Sequence, residues 1–261
     1  MDIFLLIGLI VGLGAVGTGL LLTGVSMGVL INGEAIIVIL VGTAAAVMNS
    51  FPKKEFTSIP KILGAVFGEK NNQEPSEIVK QIVEMAQATR KNGLLSLEGT
   101  VQQLDNRFMK LGLEMVVDGV EGEYIREILN CEIEGIEERH RAGASIFTTA
   151  GGASPTLGVL GAVIGLIGAL GNLEDTEKLG ESIAAAFTAT LYGIFFGYVV
   201  WHPFASRLKR KSQEEVNNMN IMLEGILAIQ EGRNPKSIEA KLSTMLKPKD
   251  RKKLEESSSK E

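Results

Sequence analysis

The sequence predicts an all-α integral membrane protein with four transmembrane helices and a helical cytoplasmic domain. Four long apolar runs contain no Asp, Glu, Lys or Arg, and 25 of the 26 basic residues fall in two blocks outside those runs. The first basic block carries apolar residues at helical spacing. This distribution excludes a secreted disulfide scaffold, a soluble Rossmann enzyme and a nucleic-acid-binding domain, which would need a basic surface.

The four apolar runs cover residues 3–25, 35–51, 146–170 and 182–201. A helix of about 20 apolar residues crosses about 30 Å of hydrocarbon, so each run is long enough, or nearly so, to span a membrane. Residues 26–34 are too few and too polar to span, and we expect a tight turn there. Both basic blocks are expected in the cytoplasm by the positive-inside rule, which also places both chain termini inside. The turn and the loop 171–180 then face outward.

The predicted organisation follows from these spans. Transmembrane helices 1 and 2 occupy residues 1–51, a cytoplasmic helical domain 52–143, helices 3 and 4 residues 144–203, and tail helices 204–250. Residues 251–261 are charged, and we expect them to be disordered. Within the cytoplasmic block, apolar spacing predicts helices over 77–89, 94–117 and 123–141. The single cysteine, Cys131, is expected to be a small buried hydrophobe in the last of these helices.

None of the four spans contains an ionisable Asp, Glu, Lys or Arg side chain. Such a group inside a membrane costs several kcal/mol and usually marks an ion pathway. If the chain handles ions, the titrating carboxylate must therefore come from another chain. His202 lies at the end of the fourth span, where an interfacial position is a simpler explanation than a proton relay.

Glycines recur at helical spacing in the spans. Residues 12–17 formally match a dinucleotide fingerprint, but that motif needs a strand before it, so the match is false. Gly158, Gly161, Gly165 and Gly168 form one stripe of the third span, and the fourth span has Gly193 and Gly197. Small residues let helices approach closely in lipid. We expect the long stripe to pack against other chains, with packing inside the chain as the alternative.

Prolines and threonines are the other unusual residues of the last two spans. Pro155 and Pro203 each remove a backbone hydrogen bond. They either mark the ends of their helices or form a flexible collar around a pore. The hydroxyls of Thr188 and Thr190 either bond back to their own helix or face a wet path.

Several segments together resemble the MotA family of flagellar motor stator subunits, within the wider MotA/TolQ/ExbB proton-channel family. They are residues 90–98 (RKNGLLSLE), 155–158 (PTLG) with Gly161 and Gly165, 186–193 (AFTATLYG) with Pro203, and 224–235 (EGILAIQEGRNP). The last segment resembles MotA alone and has no counterpart in TolQ or ExbB. The resemblance covers nearly the whole chain.

The resemblance implies a ring of five chains in the bacterial inner membrane, around the single-pass helices of MotB. MotB supplies the ion-binding aspartate, and ion flow turns the ring against the rotor protein FliG. Arg90 and Glu98 match the charged pair that contacts FliG. The ion path and its coupling are implied for Pro155, Ala162, Phe187, Thr190 and Pro203. Ala162 replaces a threonine of sodium-driven relatives, which favours protons over sodium because a hydroxyl ligand is missing.

Three alternatives are weaker on the sequence. A TolQ/ExbB-like energiser of outer-membrane processes has three spans and lacks the segment 224–235. A self-sufficient ion channel or transporter should carry its own intramembrane charge or a broken-helix site. An enzyme needs a nucleophile with a base, or a metal site, and the sequence has neither pattern, so no cofactor is expected.

Overall fold

The computed structural model describes residues 3–24, 27–68 and 73–258, and every regular element in these ranges is a helix. The chain divides into two compact units. One contains Met1–Lys70 and His140–Arg210, and the other Asn71–Arg139 and Lys211–Glu261.

Four helices are long and apolar enough to cross a membrane: α1 (Ile3–Leu22), α2 (Gly33–Ser50), α8 (Gly122–Leu170) and α9 (Thr176–Gln230). They match the four predicted spans, although α1 ends at Leu22 and α2 at Ser50, before the predicted ends at 25 and 51. The all-α fold with four membrane helices is therefore confirmed. A 3-10 turn at Met27–Leu30 lies between α1 and α2. Residue 26 of the predicted turn, and residue 25 at the end of the first predicted span, lie outside the described residues.

Side-chain caps and prolines set the ends of these helices. Asn32 accepts a hydrogen bond from the backbone N–H of Ala35 at the start of α2, and Asp175 accepts one from Lys178 at the start of α9. Such caps satisfy the free N–H groups of a first turn. Helix α2 ends at Ser50, and the next residue, Phe51, is extended because Pro52 follows it. Two short helices of the first unit, α3 (Lys53–Phe56) and α4 (Ile59–Phe67), follow α2.

The second unit begins with α5 (Pro75–Asn92), a 3-10 turn (Leu94–Leu97), α6 (Glu98–Gln102) and α7 (Arg107–Val117). The prediction of one helix over 94–117 is therefore wrong. The chain breaks before α7, where the side chain of Asn106 accepts a hydrogen bond from the backbone N–H of Met109. Asn at an N-cap competes with helix continuation. The helices predicted over 77–89 and 123–141 are confirmed, as parts of α5 and α8.

One apolar core holds the second unit together. It joins α5, α7 and the parts of α8 and α9 that belong to this unit, through fully buried Ile82, Leu113, Leu129 and Ile226. Burial of side chains of this size is worth about 1.5–3 kcal/mol each. Cys131 is exposed, so its predicted burial is wrong. Its helix turns Ile125, Leu129 and Ile133 inward instead, and Cys131 lies off that stripe.

The tail forms α10 (Pro235–Ser243) and α11 (Pro248–Ser258), so the predicted disorder is wrong for residues 251–258. Leu254 is buried in the core of the second unit. Lys253 Nζ donates to both carboxylate oxygens of Glu74, at 2.6 Å each, and these hydrogen bonds raise the pKa of Lys253 above its ordinary value. Residues 259–261, the rest of that prediction, lie outside the described residues.

Candidate functional site

The backbones of α8 and α9 touch in the first unit. A Cβ atom on Gly193 would lie 2.6 Å from the Ser154 carbonyl oxygen and 2.8 Å from the Cα of Gly158. Real Cβ atoms essentially never come so near to backbone atoms. Gly193 and Gly158 are therefore required by the crossing of the two helices.

The glycine stripe of α8 continues this contact along α9. A Cβ on Gly161 would lie 2.7 Å from the Cβ of Ala189, and one on Gly165 would lie 2.9 Å from the Cβ of Ala186. Three glycines of the stripe thus pack against small residues of the same chain. The prediction that the stripe packs against other chains is wrong, because α9 presents a matching row of small residues.

Pro155 lies inside α8, which continues for fifteen residues beyond it to Leu170. A proline at this position leaves the carbonyl of Gly151, four residues earlier, without its helical partner. Gly197 packs on both groups, since a Cβ there would lie 3.0 Å from the Gly151 oxygen and 2.8 Å from Pro155 Cγ. Pro155 therefore belongs to the helix crossing and does not mark a helix end.

Pro203 follows a π-helical turn, Phe196–Trp201, and α9 runs on past it to Gln230. The prediction that Pro203 marks the end of its helix is therefore wrong as well. The π turn is the local adjustment that a helix makes near an interrupted hydrogen-bond ladder. His202 lies between these elements. Its ring atoms are within 2.9 Å of where a Cβ on Gly151 would lie, and its ring centroid is 5.4 Å from that of Tyr198.

The hydroxyl groups of the crossing bond mainly to backbone. Thr188 Oγ1 donates to the Ala184 carbonyl at 2.8 Å, and Thr190 Oγ1 lies 3.3 Å from the carbonyl of Ala186 and 3.5 Å from that of Gly158. Both threonines thus follow the back-bonding alternative. Thr190 is half-buried at the point where α9 crosses Gly158.

Ser154, the residue before Pro155, was not singled out by the sequence. It is fully buried, donates to the Ala150 carbonyl at 2.9 Å, and its Oγ lies 3.1 Å from that of Thr43 in α2. A side-chain hydrogen bond between membrane helices stabilises their packing. The Ser-Pro pair and the lone threonine of the second span were the only signals for it.

The other predicted path residues lie further out. Phe187 is 73% exposed, on a stripe of α9 that also exposes Ile183, Ile194 and Tyr198. Ala162 is half-buried, next to Gly161. An apolar stripe at this level faces lipid or another apolar helix.

Arg90 and Glu98 are both exposed, on either side of a sharp turn in the second unit. Arg90 is in the last turn of α5, which ends at Asn92 before Gly93 turns the chain with a φ of +80°, and Glu98 begins α6. Neither side chain forms an ion pair with any residue that the structure describes. Two free charges of opposite sign are thus presented by one turn.

No three metal-ligating side chains lie together in the described parts of the chain. Two surface pockets of about 410 Å³ each lie in the second unit. One is lined by Tyr124, Arg126 and acidic residues of α8, and the other combines two arginines and two glutamates with an apolar floor. Neither contains a predicted site residue.

Comparison with known proteins agrees with this geometry. The profile of the MotA/TolQ/ExbB proton channel family matches residues 100–221. Motility protein A of Bacillus subtilis is 48% identical over 256 residues, which are 98% of this chain and 95% of that protein. The chemotaxis protein PomA of Vibrio alginolyticus is 34% identical over 246 residues, 94% of this chain and 96% of that protein.

Two solved structures have the same fold. The flagellar MotAB stator complex from Bacillus subtilis matches with a TM-score of 0.90 and 49% identity, over 95% of this chain and 98% of that one. The MotAB structure of C. jejuni matches with a TM-score of 0.90 and 32% identity, over 95% and 97%. The chain therefore belongs to the MotA/TolQ/ExbB proton channel family, among its motility protein A members, the flagellar motor stator subunits.

Proposed function

We propose that the chain assembles with MotB in the bacterial inner membrane, and that the pair converts ion flow into torque on the flagellar rotor. The observation that carries this proposal is the absence of any Asp, Glu, Lys or Arg in the four apolar spans. An ion-driven motor needs a group that binds the travelling ion, so a partner must supply it. The two solved structures described above are of MotAB, which supports MotB as that partner.

In this proposal five chains surround the MotB helices, and the ring rotates about them as ions pass. Helices α8 and α9 line the path. Thr190 lies near the MotB aspartate, with Pro155 and Pro203 on the cytoplasmic side, and Phe187 and Ala162 along the path. The basic blocks face the cytoplasm, together with both chain termini. The chain acts through ion flow and rotation and catalyses no reaction of its own.

Native mass spectrometry of the chain purified in detergent, alone and co-expressed with MotB, tests the assembly. We expect a five-chain species that takes up MotB. A monomer or dimer that ignores MotB would contradict the proposal and favour a self-sufficient transporter. A ring that rejects MotB and forms only with a partner from a TolQ/ExbB-type system would favour an energiser of outer-membrane processes.

The rotor partner proposed for Arg90 and Glu98 is FliG. Exposed charges of opposite sign, free of partners among the described residues, can steer and engage a complementary surface. Reversal of either charge, Arg90→Glu or Glu98→Lys, should impair swimming while assembly with MotB stays intact. Full motility in both variants would contradict this role.

The transported ion is proposed to be the proton, with sodium as the alternative. Ala162 offers no hydroxyl oxygen, and a hard cation such as sodium is bound by oxygen ligands. Motility should therefore survive sodium depletion and collapse when a protonophore is added. Strict dependence on sodium would overturn the assignment.

A further inference from the structure

Large apolar side chains are almost absent from the surface of the second unit. Of those that the structure describes in this unit, only Leu95 and Tyr124 are substantially exposed, at 73% and 57%. Every other exposed large apolar residue belongs to the first unit, which contains the candidate membrane spans. A lone exposed leucine is ordinary by itself, so the meaning of Leu95 depends on what surrounds it.

The turn that carries Leu95 is held firmly to the core. In a 3-10 helix residues three apart share one side, and here Leu94 and Leu97 share the inward side. Leu97 is 1% exposed and Leu94 packs against the same core. The Ser96 hydroxyl closes the turn by donating to the Gly93 carbonyl at 2.7 Å. Leu95 is consequently held outward by two anchored neighbours.

Charged residues flank this outward leucine along the chain. Arg90 and Lys91 precede it and Glu98 follows it, and all three side chains are exposed. Binding energy at protein interfaces concentrates in a central apolar or aromatic anchor, while a charged rim mainly sets orientation and association rate. The turn has this order along the chain, with exposed Leu95 as the apolar residue between the charges of Arg90 and Glu98.

We propose that Leu95 is the apolar anchor of the rotor-binding surface. It inserts into an apolar pocket on FliG, flanked by an acidic side chain that meets Arg90 and a basic side chain that meets Glu98. This inference rests on the proposed function, in which the turn contacts the rotor. The charges select and orient the rotor surface, and the single leucine supplies a contact that is brief enough to be broken at each step.

Binding of labelled FliG to the detergent-purified complex of the chain with MotB tests this role. Leu95→Ala should raise the Kd about tenfold, which corresponds to about 1.4 kcal/mol. Leu95→Asn, similar in size but polar, should weaken binding at least as much. Leu95→Met should bind FliG as tightly as the natural chain because it keeps the apolar volume. Tyr124→Ala is the matched control, since it removes the other exposed large side chain of the unit, and it should leave the Kd unchanged.

The outcomes separate this inference from the proposed function. If charge reversal at Arg90 or Glu98 weakens binding while Leu95→Ala and Leu95→Asn bind FliG as the natural chain does, the anchor is wrong and the rotor contact stands. If the natural complex does not bind FliG, both fail. Because Leu95 is exposed, we expect all its variants to assemble with MotB normally. Swimming speed in cells should fall in the same order as the affinities.

Discussion

Gly193→Ala tests the crossing of α8 and α9 directly. The added methyl group would lie 2.6 Å from the Ser154 carbonyl oxygen and 2.8 Å from the Gly158 Cα. Favourable contacts need about 3.5 Å, so the two backbones would have to separate by roughly 1 Å. Neither contact is with a flexible side chain that could turn away. Overpacking of this kind costs about 1–3 kcal/mol.

The matched control is Gly180→Ala, in the first turns of the same helix, where a Cβ would meet nothing within 4 Å. Alanine favours a helix over glycine by about 1 kcal/mol at both positions. That gain cancels when the two variants are compared, so their difference reports packing alone. We therefore expect Gly193→Ala to be about 1–3 kcal/mol less stable than Gly180→Ala.

Thermal unfolding of the complex with MotB in detergent measures this difference. One kcal/mol shifts the Tm by about 2–4 °C in chains of roughly this length, so the Gly193 variant should melt several degrees below the Gly180 variant. Equal melting temperatures would refute the close backbone contact. They would also restore the possibility that the glycine stripe of α8 packs against another chain.

Three further variants test the second unit. Burial raises the pKa of Glu224, but hydrogen bonds from Lys241 and Arg126 outweigh it and hold that pKa below its ordinary value. The stability that Glu224 contributes is therefore present at neutral pH and lost as the pH falls through the lowered pKa. Glu224→Gln should lower the free energy of unfolding by about 1–3 kcal/mol at neutral pH. Measured by denaturant unfolding, that free energy should also fall less steeply with acid in the variant, and an unchanged pH dependence would contradict the ion pair. Leu254→Ala should cost about 2 kcal/mol and speed proteolysis within α11, whereas an unchanged cleavage rate would mean that α11 is not docked. Asn234→Ala removes the cap of α10 and should cost about 1 kcal/mol by the same unfolding assay, and no loss would show that the cap is dispensable.

The transmembrane helices could be predicted because the signal is a sum over many residues. A run of about 20 residues without charge has one stable arrangement in a bilayer, whatever its neighbours are. The break before α7 could not be found in this way, because the apolar spacing continues across it. It depends on one side chain, Asn106, which satisfies the backbone N–H of Met109.

Another missed feature, the order of the tail, depends on distant parts of the chain. The sequence from Arg251 onward is charged and looks unable to form a core. It is nevertheless ordered as far as Ser258, through Leu254 in the core and through the ion pair of Lys253 with Glu74, 179 residues away. Cys131 was missed for a local reason, since a shift of one residue in helical phase decides whether a side chain is buried or exposed.

The glycine stripe shows what kind of information a sequence withholds. A row of small residues predicts that another backbone packs closely against it, but it does not show to which chain that backbone belongs. Here the matching row is on α9, and it continues to Gly197, which lies against Pro155 and the carbonyl that this proline frees. A helix bends most easily where its hydrogen-bond ladder is interrupted. The ladder of α8 is interrupted at Pro155, and that of α9 changes to a π turn at Phe196–Trp201, which includes Gly197. The two weak points therefore touch, and a bend in either helix must move the other.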